Sequence, residues 1–176
     1  VKIAGECSID LDSFFDSKEL KRMDRFTALS LIAAEQAINE SNITSNLDQN
    51  NGIGVIFGSG IGGISTFETQ HSNLLRSPRR VSPFFIPSMI SDIAAGHISI
   101  KYGFKGPNFS IVSACATANH SIGESFKKIK HGDAPAIITG GSDATITPMA
   151  IAGFSNMKAL SKSNKEDASR PFDQHR

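Results

Sequence analysis

Apolar runs and amphipathic stretches alternate along most of this chain. Ile53–Phe57 and Ala136–Thr139 are short, mostly apolar runs that end in glycines, which is typical of buried strands. Phe109–Ser113 is a third such run and leads into small residues. Helical periodicity occupies the stretches between them. Strands that alternate with helices predict an α/β fold, with a largely parallel or mixed sheet covered by helices.

Capping residues, glycines and prolines indicate where the helices begin and end. A helix is expected at Arg25–Asn39, and its predicted apolar stripe is Phe26, Leu29, Ala33 and Ala37. The other predictions are a strand tail at Val1–Gly5, a short basic helix at Lys18–Met23 capped by Asp16 or Ser17, a loop at Ser41–Asn51, a helix carrying Ile64 to Leu75, an irregular segment at Pro78–Pro87, a helix at Ser88–Tyr102 and a short helix at Pro148–Gly153.

The composition indicates a globular protein. With 176 residues, 39% of them hydrophobic and 20% charged, the chain is expected to form one domain over residues 1–176. A net charge of +1 gives no reason to expect nucleic-acid binding.

Cys7 and Cys115 form neither a disulfide framework nor a metal-ligand spacing, which favours a reducing compartment. No apolar run is long enough to cross a bilayer. Neither end resembles a natural terminus, so we expect a piece of a longer chain.

The stretch Asn108–Gly132 combines a predicted strand, a run of small residues around Cys115 and an amphipathic helix. That helix carries Ile122, Phe126 and Ile129 on one face. A turn between strand and helix lifts a side chain out of the sheet, and a helix N-terminus offers positive potential to a negatively charged sulfur. A lone cysteine is most often a small buried hydrophobic residue. The strand-turn-helix context instead favours Cys115 as a nucleophile.

The loop Gly58–Gly63 follows a predicted strand and opens a helix, as dinucleotide-binding loops do. Its pattern is G-x-G-x-G-G, and Arg76–Phe85 lacks the acidic residue that such a site needs roughly 20 residues later. Close approach of the backbone to a neighbouring element or a ligand chain is the better interpretation. Ile61 is then an apolar side chain presented from a flexible backbone.

No histidine in the sequence is an obvious partner for Cys115. His120 lies five residues later, which on a helix turns its side chain about 140° away, so a packed or capped role is expected for it. His71 and His97 lie on helix faces with apolar neighbours, and the same role is expected for them. No set of histidines and acids has the spacing of metal ligands.

Basic residues form two clusters, one at Lys18, Lys21 and Arg22 and the other at Arg79 and Arg80. Such charges usually belong to a solvated face. If the clusters converge in space, they form a local anion-docking patch on a nearly neutral protein.

At Ser113–Thr117 the sequence resembles the condensing enzymes of the thiolase superfamily, most closely the 3-oxoacyl-[acyl-carrier-protein] synthase II type. The matched motifs follow the family's order along almost the whole chain. They are Gly58–Gly63, Pro78–Pro87, Ala95–His97, Gly106–Pro107, Ser113–Thr117, Gly140–Gly141, Thr147–Pro148, Ala159–Ser161 and Ser169–Asp173. The resemblance implies the N-terminal half of a thiolase-like fold, incomplete at both ends, within one partial ketoacyl synthase domain.

The resemblance implies an acyltransferase of fatty acid elongation in the bacterial cytosol or an organelle matrix. Cys115 matches the nucleophile that takes the acyl group from acyl carrier protein, and its backbone N–H matches one oxyanion-hole donor. A malonyl carrier then loses carbon dioxide and condenses with the acyl-enzyme. No metal and no resident cofactor are implied, because the phosphopantetheine arrives on the carrier protein.

The resemblance also assigns roles to side chains outside the cysteine motif. Ile61, Phe85 and Phe154 match the acyl pocket, and Phe85 matches a residue that reaches in from the partner subunit of a homodimer. Positions that dock the acidic carrier protein are matched by Lys18, Lys21, Arg22, Arg79, Arg80 and Lys158.

Two departures from the family pattern limit what carries over. The family's two catalytic histidines, its supporting lysine and its second oxyanion donor belong to the C-terminal half, and none of the five histidines here matches them. Ser142–Asp143 stands where related sequences often have Ala-Glu.

A non-catalytic chain-length-factor-like or carrier-binding partner remains an alternative, although such proteins typically lack the nucleophilic cysteine. A hydrolase with a Cys–His–Asp triad is a third interpretation, without an aligned histidine.

Overall fold

The computed structural model describes residues 2–43 and 52–174 of the chain. It contains two compact units, the larger one Leu11–Ala144 and the smaller one formed by Val1–Asp10 with Thr145–Arg176. Most of the predicted loop at Ser41–Asn51 lies outside the described residues. That residues 1–176 belong to one domain stays a prediction.

A three-stranded parallel sheet forms the centre of the larger unit. Its strands are β1 (Gly54–Gly58), β2 (Asn108–Phe109) and β3 (Ile137–Gly141), in the order β2-β1-β3. β1 pairs with β3 along its whole length, from Gly54 opposite Ile137 to Gly58 opposite Gly141. Every residue of β1 is buried because the strand is central and covered on both faces. The predicted strands at 53–57 and 136–139 are therefore confirmed to within two residues.

Helices connect and cover these strands. They are α1 (Ser17–Leu20), α2 (Arg25–Ser41), α3 (Ile64–Arg76), α4 (Phe85–Met89), α5 (Ile93–Tyr102), α6 (Thr117–Lys130) and α7 (Pro148–Asn156), with 3₁₀ turns at Leu11–Ser13, Pro78–Arg80 and Ala114–Ala116. The smaller unit contains α7, which begins where Pro148 was expected to start a helix and runs three residues beyond Gly153. The chain at 2–5 is irregular, so the predicted strand tail is wrong.

The hydrophobic core lies between α2, α5 and β1. Phe26, Ile38, Val55 and Ile98 are at most 2% exposed. The predicted stripe of α2 is only partly right, because Ala33 and Ala37 are exposed. The buried face instead passes through Leu31, Ile32 and Ala34. The helix has apolar residues on more than one face, and packing against α5 decides which of them are buried.

A single buried carboxylate caps two helices of this unit. Asp24, 3% exposed, is the N-cap of α2, and its Oδ1 accepts a hydrogen bond from the Phe26 N–H at 3.3 Å. Its Oδ2 accepts from the Thr66 N–H at 2.8 Å and from the Thr66 hydroxyl at 2.7 Å, in the first turn of α3. Asp24 therefore satisfies orphan donors at both helix starts and joins them.

The predicted helix at 88–102 is two helices. α4 ends at Met89, and Ile90 takes an extended backbone with φ −66° and ψ 141°. The Met89 carbonyl accepts a hydrogen bond from the Gly63 N–H at 2.9 Å, so it does not continue the helix ladder. The predicted end of the helix at Tyr102 is confirmed, since Gly103 follows it in the left-handed region at φ +68°.

The predicted buried strand Phe109–Ser113 is wrong beyond Phe109. β2 pairs with β1 only at Asn108 and Phe109, and Val112 is 57% exposed. The following segment closes over the end of β1, because a Cβ on Gly58 would lie 2.3 Å from the Ile111 carbonyl oxygen. The backbone therefore leaves the ladder to form the turn that carries the cysteine.

The helix α6 turns its small residues, not its apolar ones, toward the sheet. Thr117, Ser121 and Ser125 are buried, and α6 packs against β1 and β3. The predicted apolar face is correct as a pattern, but Ile122 and Phe126 are 52% and 65% exposed. Small side chains allow a helix to approach a sheet closely, which explains why they form the packed face.

Candidate active site around Cys115

Cys115 lies in a strained turn between the sheet and α6. Ala114 before it adopts φ +50°, a left-handed conformation that costs a non-glycine residue roughly 1–2 kcal/mol. The Ser113 N–H donates to the Thr117 hydroxyl at 2.9 Å, and the Ala116 N–H donates to the Ser113 carbonyl at 3.1 Å. Thr117 is 3% exposed and anchors the turn in the core.

The turn presents the cysteine rather than burying it. Cys115 is exposed and is not in a disulfide. Ala116 precedes α6 and offers no side-chain cap to the N-terminal N–H groups of the helix. These N–H groups carry the positive end of the helix dipole, which stabilises negative charge that develops beside Cys115. An accessible sulfur at such a position suits a nucleophile, whereas a structural cysteine is usually buried.

The glycine loop lies directly against this turn. A Cβ on Gly60 would lie 2.9 Å from the Ala114 carbonyl oxygen, and one on Gly58 would lie 2.6 Å from the Thr117 Cγ2. Side chains at these two positions would push the loop away from the cysteine turn. The prediction of close backbone approach is confirmed, with the cysteine turn as the neighbouring element.

An aspartate that the sequence did not single out for a role holds this loop from the other side. The Ser59 hydroxyl donates to Asp143 Oδ1 at 2.7 Å. The Gly60 N–H donates to Oδ2 and the Ile61 N–H to Oδ1, both at 3.2 Å. The one signal in the sequence was the position of Asp143 two residues after a strand that ends in Gly140–Gly141. Its contacts depend on which strand lies beside that one.

The predicted acyl-pocket residues lie on three different elements. Ile61 projects from the glycine loop and is 42% exposed. Phe85 is half-buried at the start of α4, with its ring 6.4 Å from that of Phe67 between centroids. The loop and α4 are joined by the hydrogen bond from Gly63 to Met89 described above. Phe154 lies on α7, within the smaller unit.

Three histidines of the larger unit, His71, His97 and His120, have other surroundings than the cysteine. His120 Nδ1 lies 2.7 Å from the Ser113 hydroxyl oxygen, and the residue is exposed. Of the packed or capped role predicted for His120, packing is therefore wrong, and the polar contact agrees with a capped side chain. His71 is exposed and stacks on Phe67. His97 is half-buried in α5, and burial lowers its pKa below the usual 6.5.

Basic residues of the larger unit lie on α1, on the segment between α1 and α2, and on the 3₁₀ turn at 78–80. Lys21 lines a cavity of about 190 Å³ together with Ser82 and Phe84, which follow Arg80 closely in the chain. The Arg22 guanidinium lies 4.9 Å from the centre of the Phe84 ring. Arg79 and Arg80 are exposed on the 3₁₀ turn at 78–80. Lys18 is exposed on α1, and Lys158 lies in the smaller unit.

Residues 2–43 and 52–174 contain neither a metal-ligand cluster nor a membrane-spanning helix. Within these ranges no three His, Cys, Asp or Glu side chains are arranged to hold a metal ion. The helices in the same ranges include none that is long and apolar enough to span a membrane.

Sequence comparisons relate this chain to condensing enzymes. The family model described as beta-ketoacyl synthase, N-terminal domain, matches residues 3–175. The 3-oxoacyl-[acyl-carrier-protein] synthase 2 of Staphylococcus aureus is 50% identical over 179 residues, which cover 100% of this chain and 44% of that protein. The protein of the same name from Synechocystis is 45% identical and is covered over 43% of its length. The chain thus spans less than half the length of these relatives.

Solved structures with low sequence identity share the fold. A beta-ketoacyl synthase from Burkholderia phymatum superposes with a TM-score of 0.80 at 24% identity, over 96% of this chain and 42% of that one. A complex of a type II PKS acyl-carrier protein with its ketosynthase gives 0.76 at 19% identity, over 82% and 41%. These similarities concern the fold alone, and they confirm the predicted thiolase-like α/β architecture.

Proposed function

This chain belongs to the beta-ketoacyl synthase family, and we propose that the full-length protein containing it is an elongating 3-oxoacyl-[acyl-carrier-protein] synthase of fatty acid biosynthesis. The exposed Cys115 in its strained turn before α6 carries this proposal. A chain-length-factor-like partner would not need a presented nucleophile, so the same observation disfavours the non-catalytic alternative.

In the first half of the proposed reaction, Cys115 becomes acylated. Its sulfur attacks the thioester carbonyl of an acyl-carrier protein, and the bond from that carbonyl to the phosphopantetheine sulfur breaks. The proton that the cysteine loses ends on the phosphopantetheine sulfur, so the carrier leaves as a thiol. Negative charge on the carbonyl oxygen is stabilised by the backbone N–H of Cys115, next to the positive end of the α6 dipole.

In the second half, the acyl group leaves the cysteine by carbon–carbon bond formation. A malonyl-carrier protein loses carbon dioxide, and the resulting carbanion attacks the acyl-enzyme carbonyl. The bond from this carbonyl to the Cys115 sulfur breaks, which releases a 3-oxoacyl chain two carbons longer. We assign the acid–base groups of this half to residues outside this chain. No resident cofactor is needed, because the carrier brings its own phosphopantetheine.

The proposal includes partners and a location. The acidic acyl carrier protein docks on Lys18, Lys21, Arg22, Arg79, Arg80 and Lys158. Two copies of the protein form a homodimer in which Phe85 enters the partner's acyl pocket, while Ile61 and Phe154 line the pocket of their own subunit. The enzyme works in the bacterial cytosol or an organelle matrix. Lys21, which lines the cavity of about 190 Å³, and Arg22, whose guanidinium lies over the Phe84 ring, support a docking surface at the first basic cluster.

Replacing the nucleophile tests the function directly. Cys115→Ala in the full-length protein is expected to abolish both acylation, followed by the mass of the intact protein, and condensation with malonyl-carrier protein. Cys7→Ala is the matched control, because Cys7 is the other exposed cysteine, and it is expected to keep both activities. Full elongation by the Cys115→Ala variant would refute the assignment.

The wild-type protein in the same assays separates the alternatives. A Cys115 that is inert toward both acyl-carrier protein and alkylating reagents would favour the non-catalytic partner. Thioester hydrolysis that outpaces condensation would indicate a hydrolase.

A further inference from the structure

We propose that Asp143 is a positioning residue for acyl-chain selectivity, because its carboxylate fixes the loop that presents Ile61 beside the nucleophile. This inference rests on the proposed function for the identity of the substrate. Asp143 touches neither the thioester nor the cysteine in this proposal. It acts through the loop residues 59–62.

The carboxylate accepts three hydrogen bonds from consecutive residues of the loop. They come from the Ser59 hydroxyl at 2.7 Å and from the backbone N–H groups of Gly60 and Ile61 at 3.2 Å. Ser59 is fully buried, and its hydroxyl oxygen also accepts from the Gly62 N–H at 2.8 Å. Asp143 itself is exposed, but through these contacts it restrains all four residues, directly or through Ser59.

The sheet determines that Asp143 reaches this loop. β3 runs parallel to β1 with Gly141 opposite Gly58, and the Ser142 N–H donates to the Gly58 carbonyl at 3.1 Å. The chains that leave the two strands therefore emerge side by side at the carboxyl edge of the sheet. Asp143 is the next residue after this contact, and the loop begins at Ser59 directly opposite.

The loop has fixed neighbours on two further sides. Gly60 lies against the Ala114 carbonyl of the cysteine turn, as described above. The Gly63 N–H donates to the Met89 carbonyl at 2.9 Å at the end of α4. Within Gly60–Gly63, Ile61 is the one residue with a side chain. Asp143 thus sets where that side chain stands relative to the cysteine turn and to the helix that carries Phe85.

Removal of the carboxylate frees a glycine-rich loop. Two backbone N–H groups and one hydroxyl lose their acceptor in Asp143→Ala, and glycines on both sides of Ile61 allow its backbone to move. Displacement of about 1 Å at a reacting or binding group can change rates about a hundredfold. A displaced Ile61 changes kcat/KM differently for long and short acyl chains, because only the longer chain reaches the part of the acyl pocket that the Ile61 side chain lines.

The decisive measurement is the ratio of kcat/KM for palmitoyl- and hexanoyl-carrier protein in the full-length enzyme. We expect Asp143→Ala to change this ratio by about tenfold. Asp143→Glu keeps a carboxylate and is expected to stay within about twofold of wild type. Asp133→Ala is the matched control, since Asp133 is also exposed and bonds Lys128 away from the loop. Ser59→Ala removes one of the three bonds to Asp143 together with the bond from the Gly62 N–H, and it should shift the ratio in the same direction as Asp143→Ala.

Hydrogen exchange of the Gly60 and Ile61 amides separates failure of this inference from failure of the proposed function. Faster exchange in Asp143→Ala than in wild type is expected whatever the reaction is. Unchanged exchange, or equal loss of kcat/KM for both chain lengths, would overturn the positioning role. A wild-type enzyme that does not condense at all would instead overturn the proposed function. If Asp143→Ala does not fold, the chain-length ratio of Ser59→Ala is decisive instead, and an unchanged ratio would overturn the positioning role.

Discussion

The double cap at Asp24 makes a quantitative prediction about stability. Asp24→Ala removes the N-cap of α2, which typically costs about 1 kcal/mol. It also leaves the N–H and the hydroxyl of Thr66 without their acceptor at the start of α3. Because Asp24 is buried and Thr66 is partly buried, we add about 1–3 kcal/mol for these unsatisfied groups. The expected loss in the free energy of unfolding is therefore about 2–4 kcal/mol, a large share of the ~5–15 kcal/mol typical of a domain.

Urea denaturation of the full-length protein, followed by far-ultraviolet circular dichroism, measures this loss. Thr66→Val removes only the hydroxyl bond and is expected to destabilise less than Asp24→Ala. In the double variant the two effects should not add, since both remove the same Asp24–Thr66 contact. Asp16→Ala is the matched control, because Asp16 caps the short α1 through a capping box on the surface. A loss below about 1 kcal/mol for Asp24→Ala would show that water replaces the carboxylate, and would refute the double-cap reasoning.

Two further predictions concern docking and pH. The double variant Arg79→Glu/Arg80→Glu should lower kcat/KM for acyl-carrier substrates by about tenfold at low salt, and by less at high salt, because salt screens the steering by exposed charges. Lys105→Glu is the control. If kcat/KM does not change, or changes equally at all salt concentrations, these two arginines do not belong to the docking surface. Burial lowers the pKa of His97 below 6.5, so folding favours its neutral form. This contribution to stability is present above pH 6.5 and is lost as the pH falls through the lowered pKa. In the His97→Gln variant, the free energy of unfolding should therefore fall less steeply as the pH is lowered. An unchanged pH dependence would show that His97 does not contribute to it.

Much of the framework could be predicted because its signals are local. The buried strand before the glycine loop, the cap of α1 at Asp16 or Ser17, the helix end at Tyr102 and the helix after Cys115 follow from apolar runs, capping side chains and glycines. Each of these depends on interactions between residues a few positions apart. The candidate nucleophile was found for the same reason, since small residues between an apolar run and a helix mark a turn that exposes a side chain.

Tertiary structure decided the features that depend on distant partners. Phe109–Ser113 has strand propensity throughout, but the close approach over Gly58 takes its last residues out of the ladder. The periodicity of α6 shows where its apolar face is, whereas contact with the sheet selects the small-residue face for burial.

At the candidate active site, too, local sequence signals determined some features and long-range contacts determined others, and Asp143 is the example. The sequence alone determined a glycine loop with one apolar side chain and a cysteine in a turn of small residues. It did not determine what holds that loop, because Asp143 lies 82 residues after Ile61. Only the parallel pairing of β1 with β3 brings the ends of both strands to one edge of the sheet, where a single carboxylate can accept the hydrogen bonds of the loop.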